Sequence, residues 1–187
     1  MLKRIVFVLC FLVFVSEAAA SKEIAGVMVE DSLKTANQEL MLNGAGIRSK
    51  MFIKLYVGML YLEEKSNDAE AIMNADKDMA IRLEIISEMI TSEKMMASTS
   101  EGFEKSTEGK TDAIKAEIDA FNACFSEKIE KGDVFEMVYA KGGSITVFKN
   151  GTLKDTISGM PFKKAMFGIW LSSNPADNAL KKGMLGK

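Results

Sequence analysis

The stretch Leu42-Asn43-Gly44-Ala45-Gly46-Ile47-Arg48, followed closely by the alternating run from Phe52 to Leu62, decides how this chain is read. Two glycines around one alanine leave the backbone free to bend or to admit a close neighbour. A single arginine follows, and then one long strand ending in Tyr61-Leu62-Glu63. By period-two alternation Ile53, Leu55, Val57, Met59 and Tyr61 share one face, with Phe52, Lys54, Tyr56, Gly58 and Leu60 on the other. Both faces are largely apolar, so the strand is expected near the centre of a sheet, covered on both sides. Gly58 either leaves room above the sheet beside Tyr56 or simply accommodates packing. A lone cation, Arg48, at the mouth of such a strand suits a pocket for an acidic, apolar small molecule. It suits equally a structural ion pair with an acid such as Glu84, and Tyr56 could be an ordinary core tyrosine.

Outward from this block, Ile24 to Val29 reads as an opening strand, and Glu39 to Leu42 as another running up to the glycine bend. Ser66 or Asn67 can cap a short helix reaching about Asn74, and Met79 to Ile86 is a further strand. Thr91 offers an N-cap for a helix carrying Met95, Ser98 and Phe103. Beyond Gly109 a second helix carries the stripe Ile114, Ile118, Phe121 and Phe125. Phe135 to Tyr139 is a strand, and Asn150-Gly151 between Ser144–Lys149 and Thr152–Ile157 is a strong hairpin signal. Pro161 opens an amphipathic helix through Trp170, and Pro175 begins the last helix, with Leu180, Met184 and Leu185. There is no repeat, low-complexity tract or linker, so residues 21–187 are expected to form one α+β domain, an antiparallel sheet with helices mainly on one side.

Residues 1–20 read as a cleaved signal peptide. Lys3 and Arg4 precede the apolar run Ile5 to Val15, and Ala18-Ala19-Ala20 offers the cleavage site. The run is short for a membrane span, and Cys10 lies inside it, which argues against a lipoprotein cysteine. A periplasmic or secreted product without stable membrane insertion is therefore expected. The net charge of −2 becomes −3 once Lys3, Arg4 and Glu17 are removed, with signs interspersed, so no nucleic-acid footprint is present. Only Cys124 then remains, read as a small buried hydrophobe. The chain has no histidine, which excludes the usual Ser-His-Asp and Cys-His nucleophiles and imidazole zinc sites. Fourteen methionines are scattered along it and read as core filling, with a ligand-adaptive lining as the other use.

Near the C-terminus, Phe167-Gly168-Ile169-Trp170-Leu171, Asn174-Pro175-Ala176-Asp177 and Met184-Leu185-Gly186 form a second signature. Together with Asn43 to Arg48 and Lys54 to Leu62 it resembles the chalcone isomerase-like family, in its exported bacterial branch, from about Ile24 to Gly186. The resemblance implies an open-faced β-sandwich, a large antiparallel sheet under a layer of helices with a cleft between them. Plant enzymes of the family cyclise chalcones by adding a phenolate to an enone, whereas other plant members bind fatty acids without catalysis. The family's cleft arginine matches Arg48. Tyr56 stands where the enzymes carry threonine, as in the fatty-acid-binding branch. Thr91 falls where they carry the cleft tyrosine, and Ser98 near their following asparagine. Oriented donors of that kind are commonly worth about 3 kcal/mol each, so losing two speaks against chalcone cyclisation.

The expectation is thus a non-catalytic binder of a small amphipathic or aromatic acid, without a cofactor. Arg48 and Tyr56 would hold the head group, with Thr91 and Ser98 at the cleft and Met and Phe side chains around the tail. An isomerase of the intramolecular lyase type is the alternative. A haem binder ligated by Tyr56, Tyr61 or a Met is a further one, and the oligomeric state is left open.

Overall fold

The computed structural model describes residues 22–187, and the signal peptide expected over residues 1–20 lies outside the described residues. The chain opens with a small hairpin, β1 (Lys22–Ile24) and β2 (Val27–Val29). The single opening strand expected from Ile24 to Val29 is therefore two strands, because Ala25 and Gly26 take left-handed φ of 52° and 85° and turn the chain.

Seven further strands form one antiparallel sheet in which neighbours in sequence are neighbours in space. They are β3 (Ser32–Lys34), β4 (Glu39–Lys50), β5 (Ile53–Leu62), β6 (Met79–Ile85), β7 (Val134–Ala140), β8 (Ser144–Lys149) and β9 (Thr152–Ser158). The longer connections carry the helices. These are α1 (Ala69–Asn74) after β5, then α2 (Ser92–Ser106) and α3 (Lys115–Ala123) after β6. Past the last strand come α4 (Met160–Leu171) and α5 (Asn178–Met184). The α+β open-faced sheet with a helical layer is thus the observed architecture.

Two cores follow from strand alternation. The larger lies between the sheet and the helices, around Leu60, Ile81, Leu83, Phe135, Met137, Phe162 and Phe167. The smaller lies on the opposite face under the β1–β2 hairpin, with Val27, Val29, Leu40, Val57, Met59 and Tyr61. Coverage of β5 on both faces from Tyr56 to Leu62 explains its apolar sequence there.

Four local expectations meet a different outcome in the structure. The glycine segment is not a turn; β4 continues through it, with a bulge at Asn43. Its glycines serve the other use, close approach. A Cβ at Gly44 would press on the backbone of α5 at Gly183 O, with Gly186 N at 2.8 Å and Met184 O at 2.9 Å, and one at Gly46 would lie 3.2 Å from Leu180 Cα. The room above Gly58 is likewise filled, by Leu180. Helix α1 is capped not by Ser66 or Asn67 but by Asp68, whose carboxylate accepts from Glu70 N and Ala71 N at 3.0 Å. Pro175 stands outside α5, whose cap is Asp177.

Helix α4 is not amphipathic but buried on nearly every side from Phe162 to Leu171, packed against α1, α2 and the sheet. Its one buried charge, Lys163, donates to the carbonyls of Ile72, Met73 and Ala75 at 2.8, 3.0 and 2.8 Å. It thereby satisfies the orphan acceptors at the end of α1. The ammonium also stands 5.1 Å from each of the Tyr139 and Phe167 rings. Burial pulls its pKa down to about 8.

Candidate ligand-binding cavity

A fault in the β4–β5 ladder positions the site. The register moves from Arg48↔Tyr56 to Ser49↔Lys54, leaving Leu55 as an extra, unpaired residue. Such a bulge re-aims side chains. Strict alternation groups Leu55 with Val57, but Leu55 and Tyr56 both turn to the helical side, while Val57 stays under β1–β2. Between this end of β5, one face of α2 and the C-terminal end of α4 lies a cavity of about 430 Å³, a volume suited to a small ligand. Leu55, Ile90, Met95 and Ile169 give it apolar walls.

Arg48, Tyr56 and Ser98 all line this cavity. Arg48 is half-buried on β4, directly opposite Tyr56 in register. Its Nη1 donates to the carbonyl of Ala176, which ties β4 to the segment between α4 and α5. Among the described residues no carboxylate lies within ion-pairing distance of Arg48. The structural pair with Glu84 is not formed, because Glu84 sits on β6 opposite Val57 and Val134. The acid on the adjoining turn, Asp177, accepts from Ser49 N at 3.1 Å and from Ala179 N and Leu180 N at 2.7 and 3.0 Å. The remaining guanidinium N–H groups of Arg48 are a forked donor for an anion.

Tyr56 is buried, and its hydroxyl accepts from Trp170 Nε1 at 2.9 Å. Burial raises its pKa, with Arg48 and the Trp170 bond opposing that shift and Asp177 adding to it. The phenol therefore stays neutral and keeps its own proton to donate, beside a permanent cation. Ser98 stands exposed on α2, in line with Lys94 and Glu101 at helical spacing.

Thr91 does not join these residues. It caps α2, accepting from Lys94 N at 3.3 Å, and its exposed side chain is not part of the cavity lining. The requirement of the helix terminus claims that hydroxyl. Tyr61 is also elsewhere, on the opposite sheet face, where its hydroxyl donates to Glu30 O at 3.2 Å. An iron ligand in the cavity would thus have to be Tyr56, whose phenolate form burial opposes, or a methionine. Among the described residues no group of three His, Cys, Asp or Glu could hold a metal, and no helix is long and apolar enough to cross a membrane. Cys124 is buried, with its thiol pushed up to about 11 by burial, as befits a packing residue.

Several lining residues escape a sequence reading. Trp170 reads there as part of a helical stripe, yet its indole N–H orients the Tyr56 hydroxyl. Lys50, Lys94 and Glu101 bring charge to the mouth. The spacing of Lys94, Ser98 and Glu101 was the available signal, since it puts all three on one helix face. Met51, Met89 and Met95 line the cavity, while Met59, Met79, Met137, Met166 and Met184 fill the core.

Comparison with curated proteins finds no match. Among solved structures, the crystal structure of an Arabidopsis thaliana fatty-acid binding protein superposes with a TM-score of 0.70 at 16% sequence identity. The match covers 89% of this chain and 96% of that one. At that identity the likeness establishes a shared fold. A sequence profile described as chalcone isomerase-like matches residues 21–186, nearly the whole chain, and on that match the chain belongs to the chalcone isomerase-like family.

Proposed function

We propose that this protein is a non-catalytic carrier of a small amphipathic acid, held with its carboxylate at Arg48 and Tyr56 and its tail in the cavity. The observation that carries this reading is the pairing of a guanidinium free of carboxylate partners with a neutral buried phenol, at one wall of a largely apolar hollow of about 430 Å³ whose further charges lie at the mouth. An anion there gains charge-assisted hydrogen bonds in a poorly hydrated setting, and the tail gains apolar burial. One solved structure with the same fold is that of a fatty-acid binding protein, which supports the same class of ligand.

Native mass spectrometry of the protein, purified without detergent, should show a bound acid. Trp170 is the single tryptophan and lines the cavity, so its fluorescence should respond saturably to added palmitate. The Arg48→Ala variant should weaken that response about thirtyfold, corresponding to about 2 kcal/mol for a hydrogen bond to a charged group. A wild-type protein that carries no acid and shows no Trp170 response removes the proposal.

The reading also takes residues 1–20 as an export signal, which would put the carrier in the periplasm or outside the cell. The intact mass of the purified protein tests this: it should begin at Ser21.

A further inference from the structure

The turn between β4 and β5 runs against the sequence preference of its own turn type. It is a two-residue hairpin closed by the Lys50↔Ile53 pair, and both turn residues, Met51 and Phe52, have left-handed φ of 49° and 67°. That turn type favours Asn-Gly. The β8–β9 hairpin uses that pair, Asn150-Gly151, at φ of 50° and 74°. At β4–β5 the same conformation is held by two large apolar residues in open solvent, Met51 at 83% and Phe52 at 105% relative exposure. Ile53 and Met89 beside them are also exposed, at 39% and 49%. Met51, Ile53 and Met89 line the cavity as well, so this apolar tip is continuous with the cavity mouth.

The charge around the mouth is of one dominant sign. The lining contributes Arg48, Lys50 and Lys94 against one carboxylate, Glu101, which Lys105 pairs at 2.6 Å. Exposed Lys54 follows on β5. Glu88 and Glu93 lie on the flanking segment, and Glu93 is engaged by Thr91 at the start of α2. In a chain of net charge −2, the cations Arg48, Lys50, Lys54, Lys94 and Lys105 against Glu88, Glu93, Glu101 and Asp177 leave a local positive excess beside an apolar point.

We propose that the Met51–Phe52 tip, with Met89 and the surrounding cations, docks on an anionic phospholipid bilayer and sets the cavity mouth against the membrane surface. Apolar side chains enter the headgroup boundary while lysines meet the lipid phosphates, as in other interfacial anchors. A second copy of the chain is a poorer occupant, because a two-fold contact would face cations with cations. Docking stands on the geometry of the tip itself. Its use, the passage of a lipid-soluble acid between bilayer and cavity, rests on the carrier reading given above.

The test is flotation of the protein, expressed from the full sequence and purified from the soluble fraction, with vesicles. One set is pure phosphatidylcholine and the other a phosphatidylcholine–phosphatidylglycerol mixture. Wild type should float with the mixed vesicles, less with pure phosphatidylcholine, and less as salt rises. Phe52→Gly should reduce partitioning about tenfold without lowering the thermal midpoint, since glycine suits that φ and Phe52 is not part of the cavity lining. Equal flotation of wild type and Phe52→Gly, equal binding to both vesicle types, or no binding to either overturns the proposal. A concentration-dependent dimer that Phe52→Gly abolishes, without vesicle binding, overturns it in favour of self-association. A wild type that floats but carries no acid and gives no Trp170 response to palmitate supports docking while removing the carrier reading.

Discussion

Arg48 and Tyr56 face each other across the β4–β5 ladder, and each answers to a second master besides any ligand. Arg48 holds the Ala176 carbonyl, and Tyr56 satisfies the indole N–H of Trp170. Replacing Tyr56 by Phe strands that buried donor and should cost about 1.5 kcal/mol of stability in urea denaturation, apart from any loss of ligand. Lys163 is the stronger case. A Lys163→Met variant leaves the carbonyls of Ile72, Met73 and Ala75 without their shared donor, and should lose about 3 kcal/mol by the same measurement. At this scale the sequence identified the two candidate anchors by residue type and position. It could not reveal Trp170 or Lys163 as partners, since those bonds span 114 residues and about 90 residues of chain.

Among the elements, β4 and α5 show how a correct residue-level reading can serve an unforeseen neighbour. Gly44 and Gly46 do permit close approach, but what approaches is the chain's own last helix, which meets them with Gly183. Asn43, left unpaired by the first bulge of β4, fastens the same region. Its Nδ2 donates to Met184 O at 2.8 Å and its Oδ1 accepts from Ser66 N at 2.8 Å. A Gly44→Ala variant would force the Cβ into the α5 backbone, which cannot yield as a flexible side chain would. It should lose about 3 kcal/mol, with a lowered urea midpoint, whereas Gly26→Ala meets no neighbouring atom within 4 Å and leaves only its own turn strained. Most strands, the helix count and the β8–β9 hairpin were legible from periodicity and turn chemistry, whereas the short strand β3 and the run of β4 beyond Leu42 were not. The bulge at Leu55 was not, because an extra residue in a ladder is defined only by the partner strand.

For the whole molecule, the three tyrosines and Lys163 set opposing alkaline trends. Tyr61 and Tyr139 are pushed up to about 12 and Tyr56 is raised, in each case chiefly by burial. The folded chain therefore holds these protons more tightly than the unfolded one, whose tyrosines titrate near 10. That stabilisation is complete below pH 10 and drains away as pH climbs toward 12. Lys163 works the other way. Its folded value of about 8 lies below the ordinary 10.5, so stability gains from this group as pH rises between those values. Urea midpoints measured from pH 8 upward should fall beyond pH 10, and Lys163→Met should remove whatever rise precedes that fall. The sequence by itself determined the α+β class, most strands and helices and the candidate cation, because these rest on local periodicity, turn chemistry and residue type, and its two motif blocks carried the family resemblance. Only the tertiary structure decided that the glycines admit α5, that Thr91 is spent on a helix cap, and that Leu55 and Tyr56 open onto one cavity. Each of those outcomes depends on which distant backbone arrives opposite a residue, and no local pattern encodes that arrival.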